Sequence, residues 1–161
     1  MCILIYLRLD RVDLASKCLK AMQDLDDDDT LTQLATVWLS MAIGGEKISE
    51  SAFLLQELLE KFGPSVPVLN SLAVCEIHQR NYTSAFQYTK RARDLSKEQG
   101  VKVSAETLLN SIVCLQHLRR GSDVIEKILG ELKATHPNHP ALKKQEEMEK
   151  VFEKQAANFR K

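Results

Sequence analysis

Apolar positions in this chain follow two rhythms, a short helical one and a longer one that repeats it. Leu31, Leu34, Ala35, Trp38 and Leu39 take the i, i+3, i+4, i+7, i+8 spacing of one buried helical stripe. Leu69, Leu72, Ala73 and Ile77 form the next such stripe, faced across a turn at Asn81 by Ala85, Phe86, Thr89 and Ala92. Between them, Phe53, Leu55, Leu58, Leu59 and Phe62 mark another helix. The longer rhythm is a phrase: Leu31-Thr32-Gln33-Leu34-Ala35 returns as Leu69-Asn70-Ser71-Leu72-Ala73 and Leu109-Asn110-Ser111-Ile112-Val113, at offsets of 38 and 40 residues. Such self-similarity marks a helical repeat, whose units cannot bury their apolar faces alone and therefore stack into a solenoid. The expected fold is all-α, and the expected task is to present a surface to a partner.

Each unit reads as a first helix, a tight turn, and a second helix with a small residue near its start. The second helices open around Ala15, Ala52 and Ala85, with Ile125 in the matching place. A methyl is the largest group that fits where two helices cross closely. Leu9-Asp10-Arg11, Gly44-Gly45-Glu46-Lys47, Gln79-Arg80-Asn81 and Arg119-Arg120-Gly121 supply the reversals, the second about five residues longer by the phrase's measure. Asp26 to Asp29, Gly63-Pro64, Gly100 and His136-Pro137 stop the second helices. The chain then divides into a partial helix pair over 1–28, complete pairs over 29–64, 65–100 and 101–137, and one long helix over 138–161. Leu142, Met148, Phe152, Ala156 and Phe159 mark the apolar side of that last helix, opposite Lys143, Glu147 and Lys150. It reads as a capping helix, the polar-backed end that a solenoid needs.

Composition narrows the function. The 161 residues hold 22 basic and 22 acidic side chains, so no global field draws the chain to nucleic acid or to an acidic membrane surface. Cys2, Cys18, Cys75 and Cys114 are widely spaced and mostly within apolar stretches, as reduced cysteines of a reducing compartment are. The apolar opening Met1 to Leu7 soon meets Arg8, Asp10 and Arg11, so it is too short for a signal or a membrane span and reads as the tail of a helix.

The candidate chemistry is thin. His136 and His139 flank a proline that keeps them from converging on a metal. Asp26 to Asp29 lacks the glycine and downstream glutamate of a calcium loop, and reads as a linker whose last Asp or Thr30 caps a helix. Gly44-Gly45-Glu46-Lys47 has neither the spacing nor the ending of a phosphate loop. Cys75 with His78, and Cys114 with His117, repeat an i, i+3 pairing, but a helix interior has no free backbone donors for an oxyanion. No cofactor is expected, and a cysteine enzyme stands only as the rival class. Lys90-Arg91-Arg93 and Arg119-Arg120 lack the interleaved aromatics of a nucleic-acid groove.

The period, the Leu/Ala pair of the first helices, the Ala of the second and Pro64 and Pro137 near the unit ends resemble tetratricopeptide repeats, with the first-helix aromatic kept only as Trp38 and replaced by Glu76 and Gln116. More specific phrases are Leu9-Asp10-Arg11, Asp13-Leu14-Ala15, Met22-Gln23-Asp24-Leu25-Asp26, Thr30-Leu31-Thr32-Gln33-Leu34-Ala35-Thr36, Gly44-Gly45-Glu46-Lys47, Glu106-Thr107-Leu108 and Gln116-His117-Leu118. From about residue 7 to residue 140 the chain resembles the carboxy-terminal half of the epsilon subunit family of coatomer, the vesicle coat of the early secretory pathway.

That resemblance implies a tetratricopeptide-like solenoid and a noncatalytic coat subunit gripping the carboxy-terminal domain of the alpha subunit. It further implies a cytosolic protein on Golgi membranes and COPI vesicles only through the coat, serving Golgi-to-endoplasmic-reticulum and intra-Golgi transport. Family members extend further before residue 1, so a fragment or shortened product is expected. An apolar edge at Ile3, Leu4, Ile5 and Leu7 would then invite self-association. By tetratricopeptide analogy, the partner groove is lined by Thr32, Thr36, Leu39 and Ser40, then Asn70, Ser71, Val74 and His78, then Asn110, Ser111, Cys114 and His117. The alternative within the binding class is a generic adaptor or co-chaperone clamping a peptide carboxylate, but none of these positions is basic.

Overall fold

The computed structural model describes residues 2–159, which form nine helices and no strand. They are α1 (Cys2–Arg8), α2 (Val12–Gln23), α3 (Thr30–Ile43), α4 (Lys47–Phe62), α5 (Val66–His78), α6 (Tyr82–Glu98), α7 (Ala105–His117), α8 (Ser122–Thr135) and α9 (Pro140–Phe159). Successive helices from α1 to α8 pack against one another, giving an all-α solenoid with odd-numbered helices in one row and even-numbered in the other. Within the odd row α1 lies beside α3 and α5 beside α7, while no even-numbered pair packs as closely, so the stack closes toward the odd-numbered side.

Local chemistry sets the boundaries. Asp29 caps α3 by accepting from the Leu31 N–H at 3.0 Å, so the end of the acidic run is a helix cap. Ser104 caps α7 through the Thr107 N–H at 3.3 Å. At the end of α1, α5, α6 and α7 the chain turns through a left-handed residue, Asp10, Arg80, Gly100 or Arg119. There the next N–H reaches back five residues, as from Asn81 to the Glu76 carbonyl at 2.8 Å and Arg120 to Leu115 at 3.1 Å. Pro140 opens α9, and His139 Nδ1 accepts from the Ala141 N–H at 3.2 Å. His136 Nε2 meanwhile bonds the Val103 carbonyl at 2.8 Å, so each of the paired histidines secures backbone.

The turns correct the phrase as a ruler. Between α3 and α4 lie only Gly44, Gly45 and Glu46, no longer than Leu9 to Arg11 or Gln79 to Asn81. The left-handed turn residues 10, 45, 80 and 119 step by 35, 35 and 39, so Leu31 is not the counterpart of Leu69. Leu31 is the second residue of α3 and 65 % exposed; Thr32, Ala35, Val37 and Leu39 are buried instead. Likewise Phe53 and Phe62 stand exposed, because the buried stripe of α4 runs Ile48, Ser51, Ala52, Leu55, Leu58. The stripe of α5 and its facing residues on α6 lie as the periodicity predicts, with Leu69, Leu72, Ala73, Ala85, Thr89 and Ala92 all fully buried.

Three apolar clusters follow one another along the stack. Ile3, Ala15, Leu19, Ala35 and Leu39 form the first, and Val37, Ile48, Leu55, Leu72 and Cys75 the second. Leu108, Leu115, Ile128, Leu132 and Leu142 belong to the third. Since Ile3 is in the core and Leu7 packs against it, the exposed apolar edge of α1 reduces to Leu4 and Ile5, with Leu9 in the turn. The expected cap departs further: α9 is one long helix, but Leu142 is its sole buried residue among those described. Its remaining apolar side faces solvent.

Candidate partner-binding face

The side chains that reach the surface of the odd-numbered row converge where α5 packs on α7, beside Met41 of α3. A shallow pocket of about 310 Å³ lies there, lined by Met41 from α3, by Asn70, Ser71 and Val74 from α5, and by Glu106, Leu109 and Asn110 from α7. The wall is mixed. Apolar Met41, Val74 and Leu109 offer area to bury, while a carboxylate, two carboxamides and a hydroxyl offer directional contacts, the composition of a non-obligate protein interface.

Asn70 stitches the face together. Its Nδ2 donates to Thr107 Oγ1 at 2.9 Å and lies 3.4 Å from Ser104 Oγ, tying α5 to the start of α7 across the repeat boundary. Its Oδ1 is buried without a partner. A carboxamide in that position fixes the separation of the two helices that frame the pocket, and it also leaves an acceptor to be satisfied.

Of the twelve residues expected to line a groove, Asn70, Ser71, Val74 and Asn110 share this pocket. Thr32, Leu39, Ser111 and Cys114 are buried in the helix packing, so they have no surface to offer a partner. Ser111 Oγ donates to the Thr107 carbonyl at 2.7 Å in its own helix. Thr36 and Ser40 are half-buried, and Thr36 Oγ1 donates to the Thr32 carbonyl at 2.9 Å. His78 and His117 are exposed at the helix ends; the His117 ring stacks on Tyr82 with centroids 4.0 Å apart. Met41, Glu106 and Leu109 were not among the expected residues. For Leu109 the signal was present: the step of 39 that relates Cys75 and His78 to Cys114 and His117 also relates Asn70 to Leu109 and Ser71 to Asn110.

The family model for "Coatomer epsilon subunit" matches residues 1–160. The chain belongs to the coatomer epsilon subunit family. It is 37 % identical over 155 residues to coatomer subunit epsilon-1 of Arabidopsis thaliana, covering 96 % of this chain and 50 % of that protein. For coatomer subunit epsilon-1 of Oryza sativa subsp. japonica the identity is 39 % over 150 residues, 93 % of this chain and 50 % of the relative. For coatomer subunit epsilon of Dictyostelium discoideum it is 30 % over 160 residues, 99 % and 52 %. The chain thus spans about half the length of the curated relatives it matches.

Two of the four thiols of this coatomer epsilon family member, Cys75 and Cys114, are buried. Burial pushes the Cys75 thiol up to about 11, helped by the nearby Glu76 carboxylate, and burial pushes Cys114 up to about 11 as well. Their histidine neighbours in sequence point outward, so neither thiol has the imidazole of a nucleophilic pair beside it. Among the described residues no group of three His, Cys, Asp or Glu side chains is placed so that it could hold a metal ion. None of the described helices is long and apolar enough to cross a membrane.

Proposed function

We propose that this chain acts as a noncatalytic subunit of the COPI vesicle coat, binding the carboxy-terminal domain of the alpha subunit through the odd-numbered face. Its place would be the cytoplasmic side of Golgi membranes and COPI vesicles, in Golgi-to-endoplasmic-reticulum and intra-Golgi transport, with the coat as its only link to the membrane. The observation that supports this reading is the pocket at Asn70, Ser71, Val74 and Asn110, a mixed apolar and polar cleft between three repeats of a coatomer epsilon family member. Its one charged wall residue is Glu106, which disfavours the alternative of a clamp for a peptide carboxylate, since that needs cations.

The test is titration calorimetry of the chain against the purified carboxy-terminal domain of a coatomer alpha subunit. Ser71→Arg and Asn110→Arg, which place a long cation in the pocket, are expected to weaken binding about tenfold or more. Lys90→Glu on the outer face of α6 is expected to leave it unchanged. Binding that ignores both pocket variants would remove the odd-numbered face from consideration, and absence of binding by the unaltered chain would remove the partner.

A further inference from the structure

The feature the partner face leaves unused is α9. Beyond Leu142 its apolar side stands in solvent, with Met148 64 %, Val151 61 %, Phe152 74 % and Phe159 91 % exposed. An open trough of about 660 Å³ runs along that side past Ala141, Gln145, Met148 and Phe152, with Lys144 on one bank and Glu149 and Glu153 on the other. Residues Ala141, Gln145, Met148, Phe152, Gln155 and Phe159 advance in alternating steps of four and three, the spacing of a two-stranded seam. A helix that exposes such a stripe along its length lacks a mate.

We propose that the mate is the α9 of a second copy of this chain, packed parallel and in register. The charges flanking the seam complement a second copy and favour one direction for it. Lys144 and Glu149 lie on opposite banks five residues apart, and in a parallel pair those two positions face each other across the seam. Each Lys144 then meets the partner copy's carboxylate at position 149, twice over by symmetry. An antiparallel pair would set lysine bank against lysine bank and carboxylate against carboxylate. The solenoids leave room, because Leu142, where α9 meets its own core, lies about 100° around the helix from the seam, and a twofold axis puts the two bodies on opposite sides. Gln145 and Gln155 in the seam fix register at some loss of stability, so the association is weak and concentration-dependent.

Sedimentation velocity on the 161-residue chain, up to several hundred micromolar, is the test. The expected result is a reversible monomer–dimer equilibrium that Phe152→Glu weakens about tenfold or more. Lys144→Glu and Glu149→Lys each weaken it, and the double variant K144E/E149K restores it. Circular dichroism confirms helix content for each variant, all at exposed positions. A chain that stays monomeric throughout, a dimer that survives Phe152→Glu, or a dimer lost instead on Ile5→Glu in α1 overturns the proposal, and a double variant that fails to restore association overturns the parallel arrangement.

Discussion

At the scale of single residues, the turns hold strain that the sequence does not advertise. Asp10, Arg80 and Arg119 occupy left-handed backbone at φ 56, 64 and 51, where a Cβ is crowded and glycine is at ease. The strain is about 1 to 2 kcal/mol per residue, against about 0.4 to 1 kcal/mol for the extra freedom a glycine gives the unfolded chain. Arg80→Gly and Arg119→Gly should therefore each raise stability by about 0.5 to 1 kcal/mol in urea titrations, and a loss would show that the arginine side chains contribute contacts of that size. The thiols give a second prediction. Cys75 and Cys114 are raised from near 9 to about 11, so the fold favours the neutral thiol; that stability is whole below pH 9 and lost as pH climbs through 11. Urea midpoints measured from pH 8 to 11 should fall less in Cys75→Ala and Cys114→Ala than in the unaltered chain. A maleimide should label exposed Cys2 in the folded protein and reach Cys75 and Cys114 only on unfolding.

At the scale of helices, tight crossings carry the information. Ala85 is fully buried where α6 meets its neighbours, as Ala15 is on α2, and Ala85→Leu should cost about 1 to 3 kcal/mol by overpacking, read from the urea midpoint. Helix existence and order were legible because stripes such as Leu69, Leu72, Ala73 recur at a period that only a helix buries. Register was less so. The phrase beginning at Leu31 shares residue types with the one at Leu69, but types repeat for two reasons, packing and mere helix propensity. The backbone turns show that Leu34 and Val37 stand a step of 35 before Leu69 and Leu72. In the later pair the step is 39, which puts Leu108 and Ser111, not Leu109 and Ile112, in the core positions of Leu69 and Leu72. A one-residue slip turns a helix by about 100°, enough to exchange core for surface, and that is why Ser111 and Cys114 were expected in a groove they cannot reach. Met41 and Glu106 were out of reach of periodicity, since a pocket between three helices is a property of their spacing.

At the scale of the molecule, a stack of helix pairs has no single core to hold it. The three clusters around Leu19, Leu55 and Leu108 succeed one another, the first joined to the second through α3, which lends Ala35 and Leu39 to one and Val37 to the other, and the second to the third through α6, which packs between α5 and α7. Stability in such an arrangement approximates a sum over units and the interfaces between neighbours, so the middle, with a neighbour on both sides, is held most firmly. The part-buried Arg93–Glu131 ion pair between α6 and α8, the Asn70–Thr107 bond between α5 and α7, and the fully buried Leu69, Leu72, Ala85 and Ala92 all concentrate there or just beyond. At the ends α1 exposes Leu4 and Ile5, and α9 has one buried side chain among those described. Amide hydrogen exchange should accordingly show slowest exchange in α5 and α6, intermediate rates in α3, α4, α7 and α8, and near-unprotected amides in α9 beyond its first turn. The α9 amides also carry information about occupancy, for they should slow as protein concentration rises while those of α5 and α6 stay as they were. Uniform protection across the chain would mean that the units fold as one cooperative body, and the nearest-neighbour picture would fall with it.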